Sequence, residues 1–339
     1  MTTSGHTIAL DEEARTTARR IFSLISNELM QVELEFERQA RSNVQVINYL
    51  GEYLRLSGGK RVRPALTILS NYAVGGDGAR FNSIRMATVM EFLHTATLVH
   101  DDIIDDADTR RKQPTVNALY GNETAVLMGD WLYMSAFETS LAERSLPILD
   151  ILTRVTRKMT EGELLQLTLL GHADLSEAQY FDVLKRKTAY LFSASCEIGA
   201  ILGGASESQQ TALRDYGLNL GTAFQLIDDV LDYRSDREQL GKNLGDDLAE
   251  GKPTLPLIYA LRTGSEDQRR IIRRSIEMGS TAELAAVTVA IESTGGLAYT
   301  ARLARQEAAL AVEALAELPE SAYKQALREL ADFAVERNY

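Results

Sequence analysis

Residues 91–108 read Glu91-Phe92-Leu93-His94-Thr95-Ala96-Thr97-Leu98-Val99-His100-Asp101-Asp102-Ile103-Ile104-Asp105-Asp106-Ala107-Asp108. An apolar stretch typical of a buried helix runs straight into five carboxylates in eight positions. On a helix, Asp101 and Asp105 are i, i+4 neighbours on one face, with Asp102 beside them. Like charges at that spacing cost about 0.2–0.5 kcal/mol each in an isolated helix, and more where water is excluded. Taken alone, the run reads as a solvated helix end. At the mouth of a buried helix it needs cations. Hard carboxylate oxygens suit Mg²⁺, which keeps waters and shares a phosphate rather than sitting in an all-protein cage.

The pattern occurs twice. Residues 224–232 read Phe-Gln-Leu-Ile-Asp-Asp-Val-Leu-Asp, with Asp228 and Asp232 at i, i+4 and Asp229 between them. Gln225 lies one turn before Asp228 and Asp229 as an uncharged hydrogen-bonding group. Two such helices facing each other would hold several divalent ions across a cavity.

Around these motifs the chain reads as helix. Ile21, Leu24, Ile25, Leu29 and Val32 recur at i, i+3, i+4, and a second helix carries Val44, Ile47, Leu50 and Leu54. A third begins near Pro64, which a first helical turn tolerates. Further helices are expected over about 81–104, 123–143, 147–170, 175–204, 207–235, 254–263, 280–293, 297–317 and 320–336, with a polar loop from Arg234 to Pro253. No segment reads as an alternating strand series, and no linker or solenoid repeat divides the chain. A length of 339 residues gives a prior of about two domains at roughly 150 residues each. The unbroken helical pattern favours one all-α domain over residues 1–339.

Composition narrows the function. Thirty-six Lys and Arg against 48 Asp and Glu leave a formal charge of −12, which argues against a nucleic-acid partner. A single cysteine, Cys196, suits a reducing compartment and reads as a packing residue. There is neither an apolar run of the roughly 18 residues a membrane span needs nor a signal-peptide pattern, so a cytoplasmic protein is expected.

The cations decide the ligand. Gly58-Gly59-Lys60-Arg61-Val62-Arg63-Pro64 places three positive charges at a helix start, where free N–H groups already favour anions. Arg110-Arg111-Lys112 follows the first acidic cluster, Lys185-Arg186-Lys187-Thr188 forms another group, and Lys242 and Lys252 follow the second cluster. Each group alone reads as solvent-facing. Their alternation with the acidic clusters points to Mg²⁺-bound polyphosphate with direct Lys and Arg contacts, and diphosphate is the economical ligand. His94, two turns before Asp101, shares its face. His100-Asp101 resembles the doublet of metal phosphohydrolases, but only His6 and His172 remain as further histidine ligands.

These blocks resemble the trans-type polyprenyl diphosphate synthases over nearly the whole chain. The resemblance rests on the Gly-Gly-Lys-Arg block, Glu91 to Asp102, Phe224 to Asp229, and Gly251-Lys252-Pro253-Thr254-Leu255-Pro256. It implies an all-helical fold of antiparallel helices around a deep cavity, a homodimer, and condensation of isopentenyl diphosphate with an allylic diphosphate. By the family pattern Lys60, Arg63, His94 and Arg111 hold isopentenyl diphosphate. Arg110, Lys187, Thr188, Gln225, Lys242 and Lys252 match contacts to the allylic diphosphate. Asp101, Asp105 and Asp228 match the principal ligands of three Mg²⁺ ions, supported by Asp102, Asp229 and Asp232. The family usually has Gly after the paired arginines, where this chain has Lys112.

The chemistry implied is electrostatic and positional. Ionisation leaves an allylic cation, the isopentenyl double bond attacks it, and diphosphate itself accepts the proton. A terpene cyclase would lack the basic blocks and carry a different second metal motif. A silent partner subunit would have lost an aspartate or arginine that this chain keeps. Ala96 and Thr97 set the expected product length, since short-chain relatives often carry an aromatic there or two extra residues in the first acidic motif. With small residues at 96 and 97, and Met90 about 16 Å below Asp101, the expected product is long, roughly six to ten isoprene units with octaprenyl central. A farnesyl or geranylgeranyl product is the alternative, if Tyr133 or Phe137 blocks the tunnel. Release of so apolar a product at a membrane surface also belongs to this reading.

Overall fold

The computed structural model describes residues 16–56, 59–111, 113–234 and 244–336. Lys112 and Lys242 lie outside the described residues, as does Gly58.

The described residues fold into helices joined by short turns, in the order α1 (16–23), α2 (Ser26–Gln39), α3 (Gln45–Leu56), α4 (Val62–Ala73) and α5 (Phe81–Ile104). Next come β1 (Thr109–Arg110), β2 (Gln113–Pro114), α6 (Val116–Tyr120), α7 (Asn122–Leu141), α8 (Leu146–Leu169), α9 (Glu177–Leu184), a π-helical turn (Lys185–Ala189) and α10 (Tyr190–Leu202). The chain continues through α11 (Glu207–Leu231), α12 (Asp246–Ala249), α13 (Leu255–Thr263), α14 (Glu266–Met278), α15 (Leu284–Thr294), α16 (Gly296–Ala314) and α17 (Ala322–Glu336).

The all-α expectation holds. The longest elements are α5, α8 and α11, of 24, 24 and 25 residues, each about 36 Å long at 1.5 Å per residue. In the bundle α5 packs on α7 and α4, α10 on α11 and α4, and α11 on α16. Close approach is built in by glycine: a Cβ on Gly199 of α10 would stand 2.2 Å from the Thr67 carbonyl oxygen of α4. One apolar cluster joins Leu66, Leu69, Phe192, Tyr216 and Leu327. A second joins Met90, Phe92, Leu93, Ala96, Leu132 and Leu152 and forms the floor beneath the acidic end of α5.

The structure departs from the sequence reading at five places. Helix α14 was unexpected because Arg and Glu dominate Glu266–Met278. Its signals are a capping box between Ser265 and Gln268 and a left-handed Gly279 at its end, φ +53°. The Thr109–Arg110 and Gln113–Pro114 pair is antiparallel and too short to show alternation. The helix expected over 175–204 is continuous only through the π turn at Lys185–Ala189. The first helical pattern breaks at residues 24–25, and the loop expected after Arg234 contains the short α12.

Candidate active site

The C-terminal ends of α5 and α11 bring the two acidic motifs to one side of the bundle. Lys252, from the segment after α12, reaches the first of them: its Nζ lies 3.3 Å from Asp105 Oδ1 and also pairs with Glu250. Burial pulls the Lys252 pKa down, but the charges of Asp105, Asp247 and Glu250 outweigh it and leave the ammonium held above its ordinary range. Behind it, Asp232 Oδ2 accepts the Asp247 backbone N–H at 3.3 Å.

Within each motif the carboxylates have different partners. Asp102 is 5% exposed, and its Oδ1 accepts from Arg110 Nε at 2.6 Å. The turn after α5, with Asp106 left-handed at φ +49° and the Ala107 N–H on the Asp102 carbonyl at 2.9 Å, precedes the Arg110 strand and brings Arg110 back onto it. Asp229 is 3% exposed and accepts from Gln225 Nε2 at 3.0 Å and from the Tyr180 hydroxyl. Thr188 donates in turn to Gln225 Oε1 at 3.0 Å, which ties the π turn to α11. Such turns recur at functional sites because they advance side chains out of the α-helical phase. Here the turn carries both Lys187 and Thr188.

Lys187 Nζ lies 2.7 Å from Glu163 Oε2 of α8, beside Asp101. Burial pushes the Asp101 carboxyl up to about 7; Lys187 and Arg110 oppose this, while Glu163 and Asp105 add to it. Crowded carboxylates short of positive charge are what a divalent ion relieves. Among the described residues no three His, Cys, Asp or Glu side chains are gathered to hold an ion by themselves. An all-oxygen set spread over two helix ends fits Mg²⁺ that takes its remaining ligands from water and phosphate.

A basic pocket lies beside the acidic one. Arg63 stacks on the Phe192 ring at 4.9 Å, and its buried Nε has no hydrogen-bond partner. Burial brings its pKa down to about 10, with Glu91 opposing and Arg111 adding to the fall. His94 is held neutral, well below its ordinary range, by burial first and then by Arg63, Arg111, Arg110 and Arg61. An unpartnered buried guanidinium nitrogen beside further cations is a site waiting for an anion. Lys60 is exposed at its edge.

Below the acidic ends a cavity of about 620 Å³ opens between α5, α7 and α8. Asp101, Glu163 and Lys187 stand at its mouth, and Thr97, Tyr133, Met134, Phe137, Thr156 and Met159 line its wall. Thr97 lines the cavity, whereas Ala96 is fully buried in the second apolar cluster. His100 turns toward α7, its Nε2 3.1 Å from the Val126 carbonyl, where Gly129 leaves room for the ring. Cys196 is buried, and burial pushes its thiol up to about 12. Glu163 and Tyr180 were not singled out in sequence, and Glu91 only as the first residue of a quoted block; the partners of each are set by tertiary packing.

An all-helical bundle that carries two aspartate-rich helix ends, with Lys187 at the mouth of a largely apolar cavity, has the parts of a prenyl diphosphate-binding enzyme. A family model described as polyprenyl synthetase matches residues 44–293, and the chain belongs to that family of trans-prenyltransferases. The chain is 45% identical to octaprenyl diphosphate synthase of Haemophilus influenzae over 94% of its own length and 97% of that protein's. It is 43% identical to the Escherichia coli octaprenyl diphosphate synthase, over 94% and 98%. A crystal structure of a polyprenyl synthase from Caulobacter crescentus, complexed with calcium and isoprenyl diphosphate, superposes with a TM-score of 0.90 at 39% identity, over 95% and 98% of the two chains.

Proposed function

We propose that this chain extends an allylic diphosphate with isopentenyl diphosphate to an all-trans product of about eight isoprene units, the helix register of α5 leaving Thr97 to line the upper cavity. The observation that carries the reading is the cavity with Asp101, Glu163 and Lys187 at its mouth and Thr97, Tyr133, Phe137 and Met159 along its wall. Lys187, Thr188, Gln225, Lys242, Lys252 and Arg110 hold the allylic diphosphate. Lys60, Arg63, Arg111 and a neutral His94 hold isopentenyl diphosphate.

Asp101, Asp105, Asp228, Asp229 and Asp232 would hold three Mg²⁺ ions, with Asp102 positioning Arg110. When bound, the metal neutralises charge on the departing diphosphate. Lys187 and Lys252 add charge at the same group. The apolar wall keeps water from the allylic cation, and the departing diphosphate takes the proton.

The enzyme acts as a homodimer in the cytoplasm and passes its product to a membrane surface. Exposed Leu127, Met134 and Leu141, seven residues apart on α7, support a second copy covering that face. No described helix is long and apolar enough to cross a membrane. The test is product chromatography after incubating purified protein, Mg²⁺ and labelled isopentenyl diphosphate with farnesyl diphosphate. Octaprenyl diphosphate formed with Mg²⁺ and lost in excess chelator is the expected result. Full activity in chelator would overturn the metal assignment, and accumulation of geranylgeranyl diphosphate would overturn the length.

A further inference from the structure

Arg61 stands between Lys60 and Arg63 in the basic motif, yet its side chain takes a different course. Its backbone is left-handed, φ +47° and ψ +37°, and its carbonyl accepts the Ala65 N–H at 3.0 Å to start α4. The guanidinium is 14% exposed and turned onto two carboxylates from other helices. Nη1 donates to Glu91 Oε1 of α5 at 2.7 Å, and Nη2 donates to Glu33 Oε2 of α2 at 3.3 Å, with Nε also on Glu33.

Glu91 is 4% exposed and lies one helical turn before His94. Its charge is felt by Arg63 and by Arg111, so it sits inside the basic pocket and opposes the charge of that pocket. Gly59 fits between the Arg61 and Arg111 guanidiniums: an added Cβ would stand 3.0 and 3.1 Å from their Nη1 atoms. A buried carboxylate in such a place pairs with whichever cation reaches it. Were it to take Arg63, that cation would be lost to the diphosphate, and a bare carboxylate would repel the same anion.

We infer that Arg61 is a positioning residue: by pairing with Glu33 and Glu91 through its forked guanidinium, it keeps Glu91 off Arg63 and leaves that guanidinium for isopentenyl diphosphate. Arginine suits this work because its planar fork reaches two acceptors at once, which an ammonium does not. The left-handed residue ahead of α4 is where the chain turns that fork back toward α2 and α5. The inference rests on the assignment of the basic pocket to isopentenyl diphosphate.

The test compares Arg61→Met, Glu91→Gln, their double variant and Arg63→Ala by steady-state kinetics and by calorimetric binding of isopentenyl diphosphate. Arg61→Met is expected to raise the KM for isopentenyl diphosphate tenfold or more, with kcat within threefold and the allylic KM unchanged. Adding Glu91→Gln should recover at least threefold of that loss, because the freed carboxylate is gone. Arg61→Lys, which keeps the charge but loses the fork, carries the same comparison if Arg61→Met does not fold. A KM within twofold of wild type in Arg61→Met, with Arg63→Ala impaired, overturns the inference alone. No recovery in the double variant also overturns it, since a direct ligand or a merely structural residue would not be rescued. An unimpaired Arg63→Ala overturns the pocket assignment and the inference with it.

Discussion

The Lys187 ammonium and the Glu163 carboxylate face each other at 2.7 Å across the mouth of the cavity, with side chains 21% and 16% exposed. The pair joins the π turn to α8 and holds a cation beside Asp101 before any substrate arrives. Lys187→Ala should therefore do two kinds of damage. On the proposed assignment it removes a charge-assisted contact to the allylic diphosphate, worth about 1.5–3 kcal/mol, or roughly ten- to 150-fold in KM. It also leaves Glu163 and Asp101 facing each other unneutralised. The allylic KM should rise by at least that factor while the KM for isopentenyl diphosphate stays within threefold. Steady-state kinetics with each substrate varied in turn separates the two, and an equal rise in both would contradict separate diphosphate sites.

Tyr180 offers a second test, because its hydroxyl donates to Asp229, which is itself buried. Tyr180→Phe takes away one of the two donors seen on that carboxylate and leaves Gln225. An unsatisfied buried acceptor costs about 1–3 kcal/mol, so the variant should melt several degrees lower in the absence of metal. It should also need more Mg²⁺ for half-maximal rate, as Asp229 loses its fixed orientation. Melting curves and Mg²⁺ titrations check both; an unchanged Mg²⁺ requirement would leave Tyr180 a packing residue.

What the sequence disclosed and what it withheld divide along a physical line. Helix α5 was read to its end residues because an apolar run closes on a charge cluster within one continuous segment. The two acidic motifs and the basic blocks were legible for the same reason: each is a local spacing. The partners that fix them are not local. Asp102 meets Arg110 only because the chain reverses after α5 at the left-handed Asp106, and Lys252 meets Asp105 across 147 residues. The phase of the cavity wall was half legible. Positions 96 and 97 are adjacent, and only packing against α7 and α8 decides that Thr97 faces the cavity and Ala96 the core.

His94 makes a pH test with a definite sign. Burial and the surrounding guanidiniums of Arg63, Arg111, Arg110 and Arg61 hold its folded pKa well below the ordinary value. The unfolded chain then binds the proton that the folded chain refuses. The neutral imidazole contributes stability that is present in full above an unfolded pKa of about 6.5 and is lost as pH falls toward the depressed folded value. Wild-type melting temperature should decline from pH 7 to pH 5 more steeply than that of His94→Gln, which cannot titrate. Parallel curves for the two proteins would mean that His94 is not held neutral.

Product length is decided on the cavity wall. From Glu163 at the mouth to Thr156 is seven residues of α8, about 10 Å at 1.5 Å per residue, and Phe137 of α7 lines the same lower wall. Thr97→Phe puts an aromatic ring into the cavity directly below Asp101, so it should shorten the product to farnesyl or geranylgeranyl diphosphate without preventing the first condensation. Ala96→Phe acts differently, because Ala96 is 0% exposed within the core of α5. The added ring overpacks that core at a typical cost of about 1–3 kcal/mol, so a lower melting temperature should accompany any shortening. Phe137→Ala enlarges the lower cavity and should shift the distribution toward longer chains. Chromatography of products formed with isopentenyl diphosphate in excess reads all three. An unchanged octaprenyl product from Thr97→Phe would mean that the growing tail takes a route other than this cavity.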